Sequence, residues 1–329
     1  MSEQFQAYQV GKNDDGQRCA LTQLDDSDLM EGDVTVQVEY TTLNYKDGLA
    51  LTGRSPIIRK FPLTPGIDFS GSVLQSDHAD YKPGDKVILN GWGVGESHSG
   101  GYAQKARVSG DWLVPVPDGL DTRKAMAIGT AGYTAMLCVL ALEDHGITPD
   151  SGDILVTGAA GGVGSVAVAV LGKLGYRVVG STGRMEETDF LKKLGAADVV
   201  DRATFAEQAR PLGRETWAGA IDVAGGNTLA NVLSQIKRGG AAAICGLAES
   251  MNLPTSVAPF ILRGIAMYGI DSVMAPVERR KLAWQRLATD LDQDLLEELS
   301  FDLAFEDLPQ AGSDILDGKI RGRAIVKLP

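Results

Sequence analysis

Residues 156–168 read VTGAAGGVGSVAV, and four glycines interrupt an otherwise apolar run there. Ala159, Gly161 and Gly164 stand at the spacing of the dinucleotide turn G-x-G-x-x-G, with Ala in the first place. Without a side chain, Gly161 lets the backbone approach a pyrophosphate, and Gly164 lets the next helix pack tightly on the strand before it. The amides across Ala160, Gly161, Gly162, Val163 and Gly164, with the helix dipole behind them, then hold negative charge. A glycine-rich turn that only packs is the alternative. The strand, turn, helix and second strand found here in that order favour the dinucleotide.

The end of the second strand selects among dinucleotides. An NAD site places an acid about 20 residues past the glycines, on the ribose 2′-hydroxyl. Here Ser181, Thr182, Gly183 and Arg184 occupy that region, and acids arrive only at Glu186 and Glu187. Hydroxyl donors followed by a guanidinium suit a 2′-phosphate, and Arg202, just past the third strand, can close the same pocket. The expected cofactor is NADPH. The alternative for both arginines is a solvated surface position.

The elements that must position these residues form two patterns. The first 125 or so residues are strand-rich and turn-rich: DVTVQVEYTTLN alternates with period two, and GSVLQS and GDKVILNG follow between Pro and Gly turns. A long helical stretch, TRKAMAIGTAGYTAMLCVLALEDHG, then opens an alternation of strands and helices. DILVTGA, YRVVGST, DVVDR, WAGAIDVAG, GGAAAICG and GIAMYGID supply the strands of an open, doubly wound, mostly parallel sheet, the Rossmann arrangement of the α/β class. APVERRKLAWQRLATDLDQD is its last helix, and the tail returns to strand-like sequence. The expected organisation is a β-domain over residues 1–125, completed by 290–329, and a nucleotide-binding domain over 126–289.

Composition limits the remaining possibilities. A net charge of −12 over 329 residues argues against a nucleic-acid surface, while leaving room for a local basic pocket. No stretch of about 18 apolar residues stands out as a membrane span, and MSEQFQAYQV lacks the features of a signal peptide. A cytoplasmic protein is expected. Cys19, Cys138 and Cys245 are far apart in sequence and set among apolar residues, reading as reduced core thiols. His78, His98 and His145 lack metal-ligand spacing, and no metal is expected.

A leading β-domain, a central nucleotide fold and a C-terminal return strand resemble the medium-chain dehydrogenase/reductase superfamily over essentially the whole chain. The resemblance implies a GroES-like β-barrel for the first domain. Zinc-dependent members carry a Cys, a Gly-His-Glu and a four-cysteine loop, whereas this chain has PGIDFSG, with Ile67 and Asp68 in place of the ligating pair. That departure points to the zinc-free branch and away from a zinc alkoxide mechanism. Within it, TTLNYKDGLALTGR, FPLTPGIDFSG and LPQAGSDILDGKIRGRAIV are similar to the acrylyl-coenzyme A reductases.

The resemblance implies hydride transfer from NADPH to the β-carbon of a conjugated thioester, with a proton reaching the α-carbon. Such chemistry needs donors near the thioester oxygen and a proton source. In LNYKD, Tyr45 would line the nicotinamide and orient or protonate, and Asn44 would offer an amide donor; Asp47 reads as a cap or a holder of its neighbours. A packed ring with a satisfied hydroxyl is the alternative for Tyr45. Leu247, Ile261 and Ser272 would face the nicotinamide half of the cofactor, and Arg323 would reach toward the active site or cofactor unless it is a surface arginine. Some of Arg54, Arg59, Lys60 and Arg263 would bind coenzyme A phosphates. The strand at IAMYGID implies a homodimer. Two other readings stay open: an NADPH quinone reductase, whose wide apolar site needs few basic residues, and a non-catalytic NADPH-binding protein, which needs no Asn44–Tyr45 pair.

Overall fold

A computed structural model describes residues 4–14 and 16–329. The chain divides into two compact units: one comprises residues up to Thr130 with Val273–Leu282 and Leu296–Pro329, the other Ala131–Ser272 with Ala283–Leu295.

The first unit begins with an antiparallel pair, β1 (Phe5–Asn13) and β2 (Gly16–Leu24). Strands β3 (Val34–Leu43), β4 (Asp68–Ser76), β5 (Lys86–Asn90), β6 (Lys105–Val108) and β7 (Val114–Pro115) follow. In β3 the alternation seen in the sequence sends Val34, Val36 and Val38 into a core shared with Phe69, Val87, Leu89 and Tyr102. A short helix, α1 (Tyr45–Thr52), leaves the end of β3 at Asn44.

The helix α2 (Thr122–His145) is long and apolar enough to cross a membrane by length and composition, but 89% of its apolar window is buried in protein. It is also broken at Gly129 (φ 53°, ψ −164°), so the single helix expected from the sequence is two pieces joined by a left-handed residue.

The second unit holds β8 (Ile154–Thr157), α3 (Gly162–Lys173), β9 (Val178–Thr182), β10 (Ala196–Asp201), β11 (Trp217–Asp222), β12 (Ile236–Ile244) and β13 (Ala266–Gly269). The order β10-β9-β8-β11-β12-β13, parallel throughout, is the doubly wound sheet expected. Strand β8 is buried at every position, which its unbroken apolar run requires.

The chain returns to the first unit through β14 (Ser300–Leu303) and β15 (Arg323–Lys327), giving the sheet order β14-β15-β3-β4-β5-β7, with β6 pairing to β3. The tail is not purely strand-like. Helix Leu308–Leu316 lies between the two strands, opened by Pro309 in its first turn and burying Leu308 and Ala311 on one face.

Candidate functional site

Strand order reverses between β8 and β11, so a crevice opens past the carboxyl ends of these strands in the second unit. The chain leaves β8 through Gly158, whose φ of +58° suits glycine. Ala159 N donates to Ser181 O (3.0 Å), tying the glycine turn to the end of β9. A Cβ on Gly164 would lie 2.3 Å from Gly158 O and 2.7 Å from Ala159 Cα, so only glycine lets α3 start this close to the strand. A Cβ on Gly161 would meet nothing nearer than Gly158 O at 3.3 Å, which leaves its outer side open. The first amides of α3, at Gly162, Val163 and Gly164, have no hydrogen-bond partner among the described residues. Ala160 is buried beneath them.

The 2′-position residues converge beside this turn. Arg184 Nη2 donates to Ala160 O (3.1 Å), and Arg184 N to Thr182 Oγ1 (3.1 Å). Strands β9 and β10 pair Thr182 with Asp201, which sets Arg202 beside Gly183. A Cβ on Gly183 would fall 2.4 Å from Arg202 Nε, so the missing side chain is where that guanidinium lies. Arg202 has no hydrogen bond or ion pair among the described residues, and the buried Ser181 Oγ has no partner. An orphaned hydroxyl, a partnerless guanidinium and bare amides at a helix start fit the phosphates of a dinucleotide.

Leu247 (56% exposed) follows β12, Ile261 (72% exposed) lies on the short helix Ala258–Arg263, and Ser272 follows β13; all three come after the carboxyl ends of their strands. The sequence reading missed Asp222, which closes β11. Its Oδ1 accepts from Thr157 Oγ1 (2.7 Å) and its Oδ2 from Gly225 N (2.7 Å), joining β8 and β11 at the switch point. Burial pushes this carboxyl up, against the opposing pull of those hydrogen bonds. An acid ending an apolar strand just before glycines was the available signal. Cys245 Sγ donates to Asp222 O (3.6 Å).

In the first unit a second group of polar residues is buried together. Asp68 Oδ1 accepts from Thr42 Oγ1 (2.7 Å), and its Oδ2 from Thr130 N (2.7 Å) and Asn44 Nδ2 (3.0 Å). Asp47 Oδ2 accepts from Asn44 N (2.9 Å) and Nδ2 (3.0 Å), and its Oδ1 from Ile67 N (2.9 Å). Asn44 Nδ2 also lies 2.9 Å from Thr42 Oγ1, and Asn44 Oδ1 accepts from Arg323 Nη1 (3.3 Å). Arg323 Nε donates to Ala127 O (3.2 Å), while its Nη2 is buried without a partner. Asp47 and Asp68 are 0% exposed and Arg323 2%. Burial, then the charge of Asp68, pushes Asp47 up to about 7. Position 129 suits only glycine here, since its φ is 53° and a Cβ there would lie 2.3 Å from Arg323 Nη2.

Tyr45 differs from its neighbour. It opens α1 with its ring 45% exposed, and its hydroxyl has no partner among the described residues. Lys46 Nζ pairs with Glu96 Oε1 (2.9 Å). Of the basic residues, Arg54 pairs with Asp317 (3.0 Å), and Arg263 is buried, donating to Ser234 O (2.8 Å) and Ile236 O (3.1 Å). Arg59 and Lys60 have no ion pair among the described residues. No group of three or more His, Cys, Asp or Glu among the described residues comes together as a metal would need.

Comparison with known proteins adds the family. Residues 30–118 match the alcohol dehydrogenase GroES-like domain, and residues 162–289 the zinc-binding dehydrogenase model. The chain is 54% identical over 325 residues to the acrylyl-CoA reductase AcuI of Ruegeria pomeroyi, covering 98% of each chain. It is 44% identical to the putative quinone oxidoreductase YhfP of Bacillus subtilis, covering 100% of both. The crystal structure of Escherichia coli K-12 YhdH with bound NADPH superposes with a TM-score of 0.96 at 52% identity, covering 98% of this chain and 100% of that one. The chain therefore belongs to the medium-chain dehydrogenase/reductase superfamily, in the quinone oxidoreductase-like branch that holds the acrylyl-CoA reductases.

Proposed function

We propose that this protein reduces the carbon–carbon double bond of acrylyl-CoA to propionyl-CoA with NADPH. One observation carries the reading: bare amides at Gly162–Gly164, the orphaned Ser181 hydroxyl and the partnerless Arg202 gather past the carboxyl ends of β8, β9 and β10, in a chain 54% identical to a named acrylyl-CoA reductase. When bound, NADPH supplies the hydride for the β-carbon, and a proton at the α-carbon completes the product.

The chain's own residues bind and orient. The turn from Ala160 to Gly164 holds the pyrophosphate on its amides, with the α3 dipole behind it. Ser181, Thr182, the bare backbone of Gly183, Arg184 and Arg202 hold the 2′-phosphate and so favour NADPH over NADH. Leu247, Ile261 and Ser272 flank the nicotinamide half. Asn44 has every polar side-chain atom engaged, so its part is to fix the turn that carries Tyr45, with Arg323 fixing Asn44 in turn. The open hydroxyl of Tyr45 meets the thioester and orients it or passes it a proton. Arg59 and Lys60 take coenzyme A phosphates.

We take the protein to be a cytoplasmic homodimer. Free thiols at Cys19, Cys138 and Cys245 suit a reducing compartment. Edge strand β13 exposes Met267 and Tyr268, each 37%, for a second copy; light scattering at twice the chain mass would support this, and at one chain mass would overturn it.

The function is tested by mixing purified protein with NADPH and either acrylyl-CoA or a small quinone while following nicotinamide absorbance. Rapid oxidation with acrylyl-CoA is expected. Oxidation with the quinone alone would replace this reading with the quinone reductase one, and oxidation with neither would leave a binding protein.

A further inference from the structure

The turn after β5 reads Asn90-Gly-Trp-Gly-Val-Gly. Gly91, Gly93 and Gly95 all have positive φ, and between them Trp92 adopts φ 57°, the one non-glycine residue among those described that does so. A bulky residue is strained in this conformation, and such strain persists only where the surroundings over-determine it. Arg280 does this: it is 2% exposed, donates to Asn90 O (2.6 Å), Val273 O (2.6 Å) and Ala275 O (2.9 Å), and lies 4.5 Å from the Trp92 ring centroid. Trp92 N donates to Val273 O (3.0 Å), while the buried Nε1 has no partner. A fourth glycine would make the same turn without strain, so the indole supplies something the backbone does not need.

The location narrows what that is. Asn90 pairs with Asp68 across β5 and β4, and Asn90 Nδ2 donates to Thr130 Oγ1 (3.1 Å). Gly91 N donates to Ile67 O (3.2 Å). At its far end the turn is tied to Lys46 through Glu96 (2.9 Å). The turn therefore borders both the Asn44–Asp47–Asp68 cluster and the start of α1, where Tyr45 is exposed.

We propose that Trp92 is the residue that limits acyl length, its half-buried ring walling the place where the short enoyl group lies beside Tyr45. This rests on the enoyl-CoA reading above. An aromatic wall clamped by a buried arginine cannot swing away for a longer chain, so a three-carbon acyl group fits and extra methylenes do not.

The test compares kcat/KM for acrylyl-CoA and hex-2-enoyl-CoA in the wild type, Trp92→Gly and Trp92→Asn. Glycine and asparagine both tolerate positive φ, so at least one variant retains the turn. Thermal midpoint and NADPH affinity report folding. Removal of the ring should raise the hexenoyl-to-acrylyl ratio about tenfold or more. A ratio within about twofold of wild type in a folded variant overturns the proposal and leaves Trp92 as a packing partner of Arg280. A wild type inactive on both thioesters overturns the enoyl-CoA reading, and this inference with it.

Discussion

The two polar regions of this molecule are built on opposite principles. At the carboxyl end of the parallel sheet, donors stand without partners: the α3 amides, Ser181 Oγ and the Arg202 guanidinium. In the first unit, two carboxyl groups and a guanidinium are buried around Asn44, whose amide is engaged on both sides, and Arg323 Nη2 is the one donor of the cluster left over. Donors gathered without protein partners suit a ligand that brings the acceptors, so we read the first region as a receptor. A network with its acceptors filled holds a shape, so the second is a scaffold, and the group it presents is the neighbouring Tyr45.

The largest effect should come from breaking the scaffold. Arg323→Met removes the buried cation beside Asp47 and Asp68 and should cost about 3–5 kcal/mol of stability, read from the urea midpoint. A loss below about 1 kcal/mol would mean the carboxylates do not depend on it. On the receptor side, Gly164→Ala forces α3 off β8, costing about 1–3 kcal/mol and weakening NADPH in calorimetry. Unchanged NADPH affinity would separate that glycine from the cofactor.

Arg202→Ala should weaken NADPH about tenfold to a hundredfold with NADH unaffected, as loss of a charge-assisted contact implies; equal loss for both cofactors would remove Arg202 from 2′-phosphate selection. The smallest effect belongs to Gly183→Ala, whose methyl group displaces only the mobile end of Arg202. It should weaken NADPH about threefold, within the range of a repositioned surface charge. A loss as large as that of Arg202→Ala would show that the bare backbone at Gly183 itself touches the phosphate.

The glycine turn and the end of β9 were legible in the chain because their demands are local. Gly164 is required by atoms only a few residues away, and Ser181 to Arg184 follow directly from the strand they end. Even Arg202 could be placed, since parallel pairing of β9 and β10 carries the register across. The scaffold was not legible in the same way. Asn44 read as a free amide donor beside Tyr45, whereas its partners lie at Asp68 and Arg323, far along the chain.

By itself the sequence determined the succession of strands and helices, the doubly wound class of the second unit and the glycine turn, because backbone sterics and strand periodicity act over short separations. Only the tertiary structure decided that Arg323 lies inside a carboxylate cluster, that position 129 must lack a side chain to leave it room, and that Trp92 is held in a strained conformation by Arg280. Those outcomes depend on which distant side chains share one buried volume, and desolvation makes each buried charge find whichever partner the fold brings within reach.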